Sequence, residues 1–206
     1  MTKGSYTKEA LSQKGHDSKE YTRVRTLEIV SQSCLLWDTE KKHLLCSWMD
    51  LAGPECPSLQ MLLEHGALSP TSLFYGVDVE PSVLEGCQQL YAHVPQARWL
   101  EGDVSRLVER YEDVGVLVFD SHNGVAGTDL EDSLEVLSLF AEKQRERLGE
   151  FLLVVNTSTA RRSRAEIEGY PALLSKHFKM QVRQQHLHKY VSSKAPMLWV
   201  ALRWGF

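Results

Sequence analysis

The chain has no long apolar run. Its best stretches, around Val114 to Phe119 and Phe151 to Val155, stop far short of the roughly 18 consecutive apolar residues that a membrane helix needs. The first residues, Met1-Thr2-Lys3-Gly4-Ser5, lead into a polar stretch without the apolar centre of a secretory signal, so a soluble, cytoplasmic protein is expected. Cysteine is sparse as well. Cys34, Cys46, Cys56 and Cys87 match neither paired zinc-ligand spacing nor the density of a disulfide scaffold, and they read as reduced thiols, with no metal centre expected. The 206 residues, 43% apolar and 24% charged, suffice for one sizeable core and leave no room for two full domains.

The net charge of −4 conceals a division along the chain. Residues 43 to 156 hold 6 basic and 19 acidic side chains, whereas residues 157 to 194 hold 8 basic and 2 acidic ones. Such asymmetry lets one end attract an anionic partner while an acidic body stays in solution. It serves equally to balance the field of that body.

Residues 1 to about 20 contain almost no large apolar side chain, so a flexible arm is expected there and a single domain over residues 21–206. From Glu20 to Trp37 the apolar positions recur at helical spacing. Beyond it, short apolar runs alternate with amphipathic stretches. Strands are expected at 44–49, 73–77, 97–100, 114–119 and 151–155, with helices at 59–65, 81–93, 104–111, 130–148 and about 165–177 between or after them. Two extended segments, 179–190 and 197–204, should close the chain as a hairpin. The expected architecture is α/β, a doubly wound seven-stranded mostly parallel sheet with a C-terminal antiparallel hairpin.

In such sheets ligands bind beyond the C-terminal strand edges, where strand order reverses. Four acids, Asp50, Asp78, Asp103 and Asp120, close the first four strands there. An acid at the second strand end can accept both ribose hydroxyls of a nucleoside. The spacing from Asp78 to Asp103 fits a strand, a helix and a second strand, so both carboxylates should face one crevice.

Phe74-Tyr-Gly-Val-Asp-Val-Glu-Pro81, Leu100-Glu-Gly-Asp-Val104 and Val116-Leu-Val-Phe-Asp-Ser-His-Asn123 resemble, in order and spacing, the second to fourth motifs of class I S-adenosylmethionine-dependent methyltransferases. The terminal hairpin fits that family too, and the resemblance covers about three quarters of the chain. It implies S-adenosylmethionine as cofactor, with Asp78 on the ribose hydroxyls, Val79 against the adenine face, Asp103 accepting the adenine amino group and Val104 beside the ring. Asp50, Ala52 and Gly53 stand in the loop that the family places near the methionine moiety. That loop, Asp50-Leu-Ala-Gly-Pro-Glu-Cys-Pro-Ser58, departs from the usual glycine-rich form, and Glu55 occupies the place of a glycine found in some branches.

The fourth strand end is where the family puts substrate and catalytic groups. Methyl transfer needs an aligned nucleophile and removal of a proton, and His122 suits that proton transfer from an oxygen or nitrogen acceptor. Asp120 would orient His122 or hold the methionine amino group, with Asn123 on the substrate. Arg161, Arg162 and Arg164 follow the fifth strand on the same edge, and arginine binds phosphate bidentately, so an anionic acceptor such as nucleic acid or a phosphorylated molecule is expected. Two competitors remain at this stage. One is a non-catalytic nucleoside-binding module on the same fold, and the other is a nucleic-acid-binding accessory protein using the basic segment. His186 and His188 read as surface imidazoles, and Trp48, Trp99, Trp199 and Trp204 as core or cover.

Overall fold

The apolar run at 114–119 becomes the first six residues of the central strand, and the sheet grows outward from it on both sides. A computed structural model describes residues 8–121, 128–158, 184–191 and 196–205, together with 165, 168–170, 172 and 174. In chain order the elements are α1 (Lys8–Ser31), β1 (Trp37–Asp38), β2 (His43–Leu44), β3 (Ser47–Leu51), α2 (Pro57–Glu64), β4 (Phe74–Asp78), α3 (Pro81–Leu90) and β5 (Ala97–Glu101). Then come α4 (Val104–Leu107) with a 3-10 turn over Val108–Arg110, β6 (Val114–Ser121), α5 (Thr128–Leu148), β7 (Glu150–Ser158), β8 (Gln184–Val191) and β9 (Pro196–Gly205).

Seven strands form one sheet in the order β5-β4-β3-β6-β7-β9-β8. The first five pair in parallel and β9 pairs antiparallel to both β7 and β8, which is the expected closing hairpin. Sequence order reverses between β3 and β6, and sheets of this kind bind ligands beyond the C-terminal ends of the two strands that flank such a reversal.

The core lies on both faces of the sheet, which explains why β6 is apolar without alternation. Val116 and Val118 join Trp48, Phe74, Leu152, Val154 and Trp199 beneath α1, α2 and α3. Leu117 and Phe119 point the other way, to Met49, Val77, Val155, Leu137 and Phe140 beneath α5. Trp48, Trp199 and Trp204 are fully buried, each worth several kcal/mol at about 25 cal/mol per Å² of apolar surface removed from water.

Helix α1 begins at Lys8, well before the periodicity that starts at Glu20, so one helix crosses the expected boundary between an arm over 1–20 and the domain. Lys, Gln, Glu and Ala form helix readily even without an apolar stripe. At its far end Ser33 takes the amides of Leu35 and Leu36 on its hydroxyl, which donates to Glu150 on β7. Arg203 of β9 holds the same buried carboxylate. Among the described residues no helix is long and apolar enough to cross a membrane.

Candidate cofactor site

Asp78 sits where three segments meet. As the last residue of β4 it accepts from the Gly53 amide on Oδ2 at 3.3 Å and from the Glu80 amide on Oδ1 at 3.0 Å, while its carbonyl accepts from the Gly102 amide at 2.9 Å. The first loop, the turn into α3 and the turn after β5 are therefore tied to one residue. The Ala52 amide adds a bond to the Val77 carbonyl at 2.8 Å, extending the β3–β4 ladder into the loop.

The loop from Gly53 to Cys56 reverses direction through left-handed backbone. Gly53, Glu55 and Cys56 have φ of 55°, 64° and 41°. Only Gly53 adopts this without a steric cost, and the other two must be held there. Helix α3 does the holding. Tyr91, just past its end, donates its hydroxyl to the Glu55 carbonyl at 2.7 Å, and Cys87, one turn earlier on the same face, donates to the Gly53 carbonyl at 3.4 Å. Burial pushes the Tyr91 hydroxyl up to about 12, so it stays a donor throughout the physiological range.

Asp50 is buried. Its carboxylate accepts from the Ser58 hydroxyl at 2.5 Å and from the Leu51 amide at 2.7 Å, fixing the start of α2 against the end of β3. Asp103 is exposed and caps α4, its Oδ1 accepting from the Ser105 amide at 2.8 Å and hydroxyl at 2.6 Å. Since Gly102 bonds to Asp78, Asp103 lies one residue from the Asp78 strand end. Val79, beside it, is 64% exposed, unusual for a valine immediately after a strand. Val104 by contrast is buried in the core under α5. A Cβ placed on Gly53 meets nothing within 4 Å, which marks open space at the loop's turn.

At the fourth strand end the backbone of Asp120 pairs with Asn156 of β7, and Ser121 with Thr157. The Asp120 side chain, His122, Asn123, Arg161, Arg162 and Arg164 lie outside the described residues. Sequence reasoning missed the Cys87 and Tyr91 clamp. Their spacing of four was visible, but nothing local says that carbonyls 34 and 36 residues earlier would lie beneath them. It also stopped the fifth strand at Val155, short of Asn156, whose side chain faces Tyr190 across β9 at 3.5 Å.

No protein-family model and no curated protein sequence matches the chain. Solved structures do. The chain is similar to a structure described as a possible exported protein from Bordetella parapertussis, at TM-score 0.58 and 15% identity over 92% of this chain and 68% of that one. It is similar to the N-methyltransferase NodS from Bradyrhizobium japonicum WM9, at TM-score 0.55 and 14% identity over 91% and 97% of the two chains. A third is precorrin-6y C5,15-methyltransferase from Geobacter metallireducens GS-15, at TM-score 0.53 and 13% identity over 89% and 87%. Together with the strand order, these likenesses show that the chain has the class I methyltransferase fold.

Proposed function

We propose that the protein is an S-adenosylmethionine-dependent methyltransferase that acts on an oxygen or nitrogen acceptor. The observation that carries this reading is the Asp78 carboxylate, bonded to the Gly53 amide of the first loop and flanked by the exposed Val79 and by Asp103.

The residues present fit such a cofactor. A carboxylate offers about four acceptor positions, and the two amides on Asp78 leave capacity for a pair of ribose hydroxyls. Val79 supplies apolar surface for an adenine face, and Asp103 supplies an acceptor for its exocyclic amine. The open space at Gly53 leaves room for the methionine end. When bound, the sulfonium supplies an activated methyl group. The chain's own work is to hold the donor and acceptor in line and to receive a proton, for which His122 is our candidate, with Asp120 and Asn123 as its neighbours in sequence. Arg161, Arg162 and Arg164 would draw an anionic acceptor to the same edge.

Calorimetry with S-adenosylmethionine and S-adenosylhomocysteine tests the site. Micromolar binding, about −8 kcal/mol, is expected for the wild type, and Asp78→Ala or Asp103→Ala should each cost about 1 to 3 kcal/mol. Affinity that neither substitution changes refutes the site. If the cofactor binds but no acceptor panel is methylated, the non-catalytic reading replaces the enzymatic one.

A further inference from the structure

Two thiols meet under the first loop, and neither has a part in the chemistry proposed above. Cys56 caps the start of α2 in left-handed backbone, with φ 41° and ψ 66°, and Cys87 lies on α3. Both are buried, beneath the exposed Pro54 and Glu55. Both also converge on one oxygen, since the Cys56 amide and the Cys87 thiol each donate to the Gly53 carbonyl at 3.4 Å. The Cys56 and Cys87 side chains also act on each other. From the sequence these cysteines, thirty-one positions apart, show no pairing.

We infer that Cys56 and Cys87 form an oxidisable dithiol, closed to a disulfide by hydroperoxides, which fastens the first loop to α3 and weakens the cofactor site. The chemical half of this inference stands on the convergence of both cysteines on the Gly53 carbonyl, and the regulatory half rests on the cofactor reading given above.

The contact decides which sulfur reacts first. A hydrogen bond from Cys56 holds the Cys87 thiol below its ordinary value, whereas burial pushes Cys56 up. Cys87 is therefore the nucleophile and Cys56 the resolving thiol. The Cys87 thiolate attacks one oxygen of hydrogen peroxide, forming an S–O bond and breaking the O–O bond, and the departing hydroxide is protonated to water. The Cys56 sulfur then attacks the Cys87 sulfur, forming the S–S bond, and the second oxygen leaves as water with the Cys56 proton. Two thiols lose two electrons and one peroxide becomes two waters. The other two thiols differ. Cys34 is exposed, and Cys46 is buried, with burial pushing its thiol up to about 12.

Closing the bond brings the sulfurs to about 2.05 Å from each other and removes the Cys87 donor from the Gly53 carbonyl. Gly53 is also the residue whose amide holds Asp78, so the strain reaches the ribose carboxylate directly. Cofactor affinity should fall about tenfold.

The test uses the full chain, reduced and then titrated with hydrogen peroxide, alkylated and cleaved after glutamate. Cleavage after Glu55, Glu64, Glu85 and Glu101 puts Cys56 and Cys87 in separate peptides, 56–64 and 86–101, apart from Cys46. The expected product is those two peptides joined, lacking two hydrogens, and released by dithiothreitol. In parallel, calorimetry with S-adenosylhomocysteine should show binding about tenfold weaker after oxidation and restored after reduction. In Cys87→Ser and in Cys56→Ser the ratio of the two affinities should stay at one. Oxidation that accumulates at Cys34 or Cys46 with no 56–87 link overturns the proposal, as does a complete link with unchanged affinity. A reduced protein that binds no S-adenosylhomocysteine refutes the cofactor reading and the regulatory half with it, while the peptide map still decides the thiol pair.

Discussion

Gly76, in the middle of β4, leaves no room for a single added carbon. A Cβ at that position would lie 2.4 Å from Cζ3 and 2.6 Å from Cε3 of Trp99, and 3.3 Å from Cε1 of Phe74. Carbon atoms pack best at about 3.5 to 4.0 Å, so the indole must retreat by about 1 Å. Its neighbours resist that. Trp99 packs edge-on against Phe74 at a centroid distance of 6.3 Å and against Tyr91 at 6.0 Å. Overpacking of this kind costs about 1 to 3 kcal/mol, and about 2 kcal/mol corresponds to a fall in Tm of roughly 4 to 8 °C for a chain this long. The assay is urea unfolding of Gly76→Ala at 25 °C, followed by far-ultraviolet circular dichroism and by fluorescence together. A lower midpoint with an unchanged slope is expected. Trp99→Val should relieve the clash, so the double variant should lose at least about 1 kcal/mol less than the two single losses added. A Gly76→Ala protein within 0.5 kcal/mol of wild type, about the noise of additivity, would refute the close-packing argument. The consequence reaches the site, because Tyr91, which flanks Trp99, also holds the Glu55 carbonyl.

Two further outcomes follow from local geometry. Glu55, at φ 64°, should accept glycine with a gain of about 1 kcal/mol, measured by the same urea titration; a loss in Glu55→Gly would show that the glutamate side chain stabilises the loop. His186 is held below its ordinary value by burial first, then by repulsion from Arg25 and Arg203. The unfolded imidazole therefore takes its proton at higher pH than the folded one, and the stability this group contributes is complete above pH about 6.5 and is lost as pH falls below it. Unfolding free energies between pH 5 and 8 should rise with pH, and His186→Gln should flatten that rise; an identical slope in both proteins would remove His186 as the cause.

The parallel half of the sheet was legible because its central strands are buried on both faces and its turns carry Asp, Gly and Pro. Thus β4, expected at 73–77, runs Phe74–Asp78, and β5, expected at 97–100, runs Ala97–Glu101. Helix α1 was half legible, since its first turns lack the apolar spacing that marks a packed face. The roles of the acids divided for a physical reason. A strand-end carboxylate can face ligand, satisfy backbone donors or do both, and sequence cannot tell which, because the donors belong to other segments. Asp50 turned inward to Ser58, and Asp103 took up a helix cap with one oxygen. Asp78 received an amide from a loop twenty-five residues earlier.

The first loop shows how a chain can hold a left-handed backbone path with few of the residues that make the path easy. Glycines allow left-handed backbone at no steric cost, and this loop has one, Gly53. Glu55 and Cys56 each forfeit about 1 kcal/mol by adopting that conformation without being glycine. Hydrogen bonds of about 1 kcal/mol each, from Tyr91 to the Glu55 carbonyl and from Cys87 to the Gly53 carbonyl, offset a cost of that size. The conformation that glycine supplies through its own freedom is supplied here from outside, by one face of α3. That exchange makes the loop dependent on α3 for its shape, and it places a thiol at the point of dependence.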